Sequence, residues 1–148
     1  MTTKTELHPK VKAFLQSGPK KLFINGEFVA SKAGATFETR NPATGEVLTE
    51  VYDAREEDVH EAVVAAHEAF ENSEWRKMSS AERARLMNKL ADLMERDFEV
   101  LAQLDTLDNG KPINDVRNGD LPSAIGNLRY FAGWTDKIYG QTIPISPT

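Results

Sequence analysis

Apolar residues recur at two different spacings along this chain. Up to residue 52 they come in short runs broken by turn residues; beyond it they return every three or four positions. The first pattern predicts strands and the second amphipathic helices. Residues 1–7 read as a polar, mobile tail. Pro9 then opens a short helix with Val11, Phe14 and Leu15 on one side, stopped by Ser17-Gly18-Pro19. Leu22-Phe23-Ile24, Asn25-Gly26 and Glu27-Phe28-Val29 predict a hairpin, because Asn-Gly supplies the positive φ angles of a type I′ turn. Thr36 to Arg40 predicts a strand ended by Asn41-Pro42. After a turn at Thr44-Gly45, Val47, Thr49 and Val51 alternate with Leu48, Glu50 and Tyr52 in another.

The helical part begins where Asp53 and Glu56 suggest a capping box. Val59, Ala62, Val63, Ala66 and Phe70 follow as an apolar stripe. Ser79 and Glu82 repeat the capping signal ahead of one long helix, with Leu86, Leu90, Leu93, Met94, Leu101 and Leu104 on its buried side. Asp92 and Arg96 pair one turn apart on its outer side. Asn109-Gly110 ends it and Pro112 prevents resumption. Residues 113–118 predict one or two helical turns. Asp120, as N-cap, and Pro122 start a third, bent helix with Leu121, Ile125, Leu128 and Ala132 in its stripe, running to Trp134. Gly140 breaks that pattern, and Thr142 to Ile145 predicts a short strand. Gly119, Gly126, Gly133 and Gly140 recur every seven residues, which suggests a face for close backbone packing. The fold class expected is α+β: a hairpin, two amphipathic helices, a bent third helix and a terminal strand.

Composition narrows the chemistry. The 148 residues are 40% hydrophobic, enough for a core, and the net charge of −5 argues against an electrostatic nucleic-acid binder. No apolar run approaches the ~18 residues of a membrane span. The first residues show no secretory signal, so a cytoplasmic location is expected. With zero Cys, the chain offers no disulfide, thiolate zinc site or thiol nucleophile. His60 and His67 share a helix face but sit two turns apart, too far for one ion. No dinucleotide fingerprint, phosphate-binding loop or nucleophile elbow is present. Asp105 and Asp108 lie close together at a helix end, where solvated charge competes with weak cation binding.

Five motifs nevertheless follow in a telling order: Phe23-Ile24-Asn25-Gly26-Glu27-Phe28, Asn41-Pro42-Ala43-Thr44-Gly45-Glu46, Leu104 to Pro112, Leu128-Arg129-Tyr130-Phe131-Ala132-Gly133-Trp134, and Gly140-Gln141-Thr142-Ile143-Pro144. Together they resemble the N-terminal portion of the NAD(P)-dependent aldehyde dehydrogenase superfamily, over roughly residues 21–145. Trp75-Arg76 and the run from Arg85 to Glu95 fit as well. The resemblance implies that the chain is part of a larger α/β enzyme about three times as long. Such enzymes oxidise an aldehyde through a cysteine thiohemiacetal, pass hydride to NAD or NADP and release the acid with a glutamate base. Those groups belong to a region beyond this chain, so it is expected to be inactive alone and to bind no dinucleotide.

The resemblance also implies positions. A sodium or potassium ion would be held by the backbone carbonyls of Thr39 and Arg40 and the carboxylate of Asp108. Gly119 and Ser123 would line the mouth of an aldehyde tunnel, widened by their small size. Residues 21–139 would be the N-terminal part of the cofactor-binding domain, and residues 140–148 the start of an oligomerisation arm, after a tail and short helix over 1–20. Expected partners are a small aldehyde, the remainder of the aldehyde dehydrogenase chain and further copies in a homo-oligomer, with no nucleic acid and no membrane. Two competing roles are a non-catalytic truncated product that associates with intact subunits, and an independent ion- or ligand-binding module.

Overall fold

The computed structural model describes residues 6–141; the strand expected at Thr142 to Ile145 lies outside them. Helix α1 (Pro9–Gln16) begins at His8, whose Nδ1 accepts the Lys10 N–H at 3.1 Å. Two antiparallel pairs follow: β1 (Leu22–Ile24) with β2 (Glu27–Val29), and β3 (Thr36–Arg40) with β4 (Val47–Tyr52). Asn25 (φ 52°) and Gly26 (φ 81°) make the tight turn between the first two. Lys20 joins the edge of β4, its N–H donating to Glu50 O and its carbonyl accepting from Tyr52. Thr39 faces Thr49 whereas Arg40 faces Val47, so Leu48 is an extra residue in β4, a bulge.

The helices are α2 (Glu56–Asn72), α3 (Glu74–Lys77), α4 (Ser80–Arg96), α5 (Phe98–Asn109), α6 (Ile113–Asp115) and α7 (Leu121–Ala132), the last two joined by a π-helical turn over Val116–Asp120. The fold is thus mixed α and β, as expected. Its core forms where these helices converge: Ala102, Val116 and Leu121 are buried, with Met94, Phe98, Leu101 and Ile113 packed around them. Arg117 donates to Glu99, holding the π turn against α5. That guanidinium, followed by a hydrogen bond from Gln103, keeps the Glu99 carboxyl below its ordinary range despite desolvation.

Several local expectations need correction. The long helix is two helices, divided at Asp97 (φ −101°, ψ 21°). Asp disfavours a helix interior, where its short side chain finds competing partners. Here the carboxylate is taken by Arg96 and by Lys10 of α1, the latter at 2.9 Å, which together pull its pKa to about 2. Arg96 therefore does not pair with Asp92. Asp92 instead accepts from Arg129 of α7 at 3.0 Å, and Glu95 accepts from the same guanidinium at 2.7 Å. These contacts lock α4 to α7.

Asp120 is not an N-cap either, because the chain is already helical there. Pro122 has no N–H, and its ring would strike the carbonyl four residues back in an ordinary α-helix. A π turn just before it resets the hydrogen-bond register without ending the helix. α7 stops at Ala132, two residues short of Trp134.

At the start of α2 the acidic reach-back comes from Asp58, with Arg55 at the N-cap, rather than from Asp53 and Glu56. Asp58 is only 3% exposed. Its two oxygens accept the Arg55 and Lys32 backbone N–H groups, each at 2.9 Å. It thereby stitches the 30–35 loop to the helix, and those bonds, Arg55 first, hold its carboxyl below the ordinary value. A lowered folded-state pKa gives stability that is present above the unfolded pKa and is lost as pH falls through the folded one. Asp58→Asn should lower the melting temperature at neutral pH and flatten its dependence on pH in the acid range. An unchanged acid limb in thermal scans would show that Asp58 is not the linking group.

Gly126 sits inside α7, where an added Cβ would meet nothing within 4 Å. Gly126→Ala should therefore stabilise the isolated chain by up to about 1 kcal/mol in equilibrium denaturation. A loss of stability would reveal a backbone packed on that face.

Candidate functional site

The ends of β3 and α5 meet in space across 69 residues of sequence, with the Thr39 hydroxyl donating to Asp108 Oδ1 at 3.3 Å. A cleft of about 310 Å³ opens beside them. Its floor is apolar, from Leu15, Leu48, Val51, Leu104 and Leu107, and its rim carries Thr39, Asp105, Asp108 and Lys20. The Leu48 bulge brings an apolar side chain of β4 to this cleft at the point where β3 bends toward Asn41. Asp105 also accepts from Asn109 Nδ2 at 2.9 Å, leaving Asp108 as the more exposed carboxylate.

The two loop motifs fit one another closely. Asn41 Oδ1 accepts the Ala43 N–H at 2.9 Å, while Asn109 Oδ1 accepts the Lys111 N–H at 2.7 Å. Each asparagine thus shapes its own turn. Gly110 caps α5 with φ 81°, and a Cβ there would stand 2.7 Å from Pro42 Cγ. Only glycine combines that backbone angle with that approach. Lys111 then reaches Asp120 at 2.5 Å, so the loop after α5 also fixes the π turn. The Asp120 carboxylate raises the Lys111 pKa above its usual value.

The positions derived from family resemblance separate into groups. Thr39 and Asp108 come together at the cleft. The Arg40 side chain turns away, donating to Gly45 O at 3.0 Å and pairing with Glu38. Gly119 lies in the π turn and Ser123 in the first turn of α7, both exposed; a Cβ on Gly119 would meet no neighbour within 4 Å.

Lys20 was not anticipated by sequence reasoning. Its ammonium donates to Gly18 O and Ser17 Oγ, each at 2.8 Å, and to Phe14 O, and it lies 4.5 Å from the Phe14 ring centre. It satisfies carbonyls at the end of α1, and partial burial lowers its pKa. The Ser17-Gly18-Pro19 helix stop was legible; a lysine folding back over it leaves no periodic signal. Among the described residues no cluster of three His, Cys, Asp or Glu side chains is placed to hold a metal.

The whole assembly has counterparts among known proteins. The model of the aldehyde dehydrogenase family matches residues 28–148. DhaS of Bacillus subtilis (strain 168) is 61% identical over 137 residues, covering 93% of this chain and 28% of the relative. Human retinal dehydrogenase 2 is 49% identical over 126 residues, covering 84% of this chain and 24% of the relative. The NAD+ complex of an aldehyde dehydrogenase from Bacillus cereus superposes with a TM-score of 0.89 at 57% identity, over 95% of this chain and 28% of that one. The arrangement of the hairpin, the paired Asn-Pro and Asn-Gly-Lys-Pro loops and the last helix with its π turn is therefore that of a known class of oxidoreductase. The chain belongs to the aldehyde dehydrogenase family, and it spans about a quarter of the length of the curated relatives it matches.

Gly110→Ala should destabilise the chain by about 1–2 kcal/mol from the left-handed backbone alone, and further through the collision with Pro42. Adding Pro42→Ala should recover only the steric part. Equilibrium unfolding of the single and double variants separates the two contributions.

Proposed function

We propose that this chain supplies the N-terminal part of an oxidoreductase that converts an aldehyde to a carboxylic acid with NAD or NADP. The observation carrying this reading is the superposition on the NAD+ complex from Bacillus cereus, which extends over 95% of the chain. In the proposed reaction the aldehyde loses hydride to the nicotinamide and gains an oxygen from water. The dinucleotide and the sulfur nucleophile would be held by sequence outside this chain, since the chain has zero Cys. Residues 21–139 would form the first part of the cofactor-binding domain and residues 140–148 the beginning of an oligomerisation arm. A cytoplasmic homo-oligomer is the setting we infer.

Within this chain two roles follow. The Asp108 carboxylate, with the carbonyls of Thr39 and Arg40, would present hard oxygen donors to a sodium or potassium ion. Asp108 suits that role because it is exposed and the described side-chain bond it accepts is the long one from Thr39. Gly119 and Ser123, small and exposed on one helix face, would leave the entrance of an aldehyde tunnel wide.

The isolated chain should produce no NADH or NADPH signal with acetaldehyde or betaine aldehyde. Turnover above a buffer control would overturn the view that the missing sequence carries the chemistry. Sodium and potassium should also leave its melting curve equal to that in an ionic-strength-matched control, because three oxygens fall short of the roughly six that a hard cation takes. A stabilisation by one ion that Asp108→Ala abolishes would mean that the site closes within this chain.

A further inference from the structure

Asparagine followed by glycine occurs three times in this chain, at Asn25-Gly26, Asn109-Gly110 and Asn118-Gly119. The pair carries a reaction of its own. The backbone nitrogen of the glycine can attack the side-chain amide carbon of the asparagine, and a following residue without Cβ leaves that approach open. All three asparagines are exposed, so contact with water does not rank them. What ranks them is the bonding around each.

Asn109 is held at both ends of its side chain. Its Nδ2 donates to Asp105 at 2.9 Å, and its Oδ1 accepts the Lys111 N–H at 2.7 Å. The Gly110 nitrogen is engaged as well, donating to Thr106 O at 3.0 Å. Asn118-Gly119 lies in the π turn, inside a helical run that continues from Ile113 to Ala132. Gly119 sits beyond the first four residues of that run, whose N–H groups alone lack a helical partner.

Asn25 differs on each count. Among the described residues neither its side chain nor the Gly26 N–H has a hydrogen-bond partner. A two-residue hairpin turn leaves the N–H of its second residue unpaired. The turn joins two strands of three residues each in a two-stranded sheet, a unit of marginal stability by itself. Asn25 is also the one described non-glycine residue with positive φ, 52°. Opening this turn therefore costs less than breaking into either helix, and it frees the nitrogen to reach the amide.

We propose that Asn25 is a site of spontaneous deamidation, the one Asn-Gly pair of the three that this fold leaves free to react. The Gly26 nitrogen gives its proton to solvent as its lone pair bonds to Asn25 Cγ. The bond from Cγ to Nδ2 breaks, Nδ2 takes up a proton and leaves as ammonia, and a five-membered succinimide remains. Water then opens the ring at either carbonyl, giving aspartate or isoaspartate. In sum, asparagine and water become an acid and ammonia. The isoaspartate product routes the main chain through Cβ and lengthens a turn that has only two residues. The pairing of Ile24 with Glu27 does not fit that longer path, so the Phe23 and Phe28 rings, 5.0 Å apart, lose their contact.

The test holds the 148-residue chain in warm, mildly alkaline buffer made with heavy-oxygen water, then digests it with trypsin in ordinary water. Cleavage after Lys and Arg, but not between Lys111 and Pro112, puts the three pairs on separate peptides: 22–32, 97–117 and 118–129. Each deamidation leaves a heavy oxygen in its peptide, and fragmentation assigns it to a residue. In the folded chain Asn25 should take up label several times faster than Asn109 or Asn118. In denaturant the three rates should converge. Absence of label at Asn25, labelling of Asn109 or Asn118 as fast as Asn25 in the folded chain, or the same ranking in denaturant would each overturn the proposal.

Discussion

The close approach of Gly110 to Pro42 is the constraint on which the arrangement of the other parts depends. It joins β3 and its turn, beside the cleft, to the end of α5. A backbone in the left-handed region at the end of a helix directs the following residues back across its last turn. Here that change of direction delivers Lys111 to Asp120 and places Asp108 beside Thr39. One glycine therefore connects the cleft on one side with the π turn on the other. Each connection is modest in energy, since exposed or half-exposed ion pairs contribute little. Their geometry matters more, because they fix positions for residues far apart in sequence.

The motifs at the cleft were legible because turn chemistry is local. Asn25-Gly26, Asn41-Pro42 and Asn109-Gly110 declare their backbone angles through residue type, and the strands and helices between them follow from period. The errors arise where partners lie far away. Arg129 takes Asp92 from Arg96 across helices, and Lys10 draws Asp97 out of a helix that its neighbours would have continued. Neither competition is visible in a window of one helix. The meeting of Thr39 with Asp108 was expected only from resemblance, since nothing in the spacing of the residues states it.

The outward turn of the large apolar side chains of α2, with Val59, Val63 and Phe70 exposed, has a different origin. Periodicity locates an apolar stripe but is silent about which body the stripe faces. In a chain holding its whole core, the largest apolar side chains would turn inward. Among the described residues the buried set is small, with Ala91, Ala102 and Ala132 among its seven hydrophobic members, and Val11 and Val116 the largest side chains to be fully covered. A core dominated by alanine and valine permits close helix contact but removes little apolar area from water. The helical interior is consequently narrow, and polar links such as Arg129 to Asp92 and Glu95 reinforce its edges.

The π turn over Val116–Asp120 gives the chain a fixed phase. Its first residue, Val116, enters the core, and downstream Leu121, Ile125 and Ala132 do so on α7. Five residues at the wider π pitch turn through nearly the same angle as four at the α pitch, so removing one residue from the turn would restore ordinary helical pitch and leave Arg129 facing Asp92 and Glu95. Removing a residue farther along, between Leu121 and Leu128, would instead rotate everything beyond it by about 100° and take Arg129 away from both carboxylates. Between Val116 and Asp120 the helix can thus lose a residue and keep its phase, which the regular turns after it cannot.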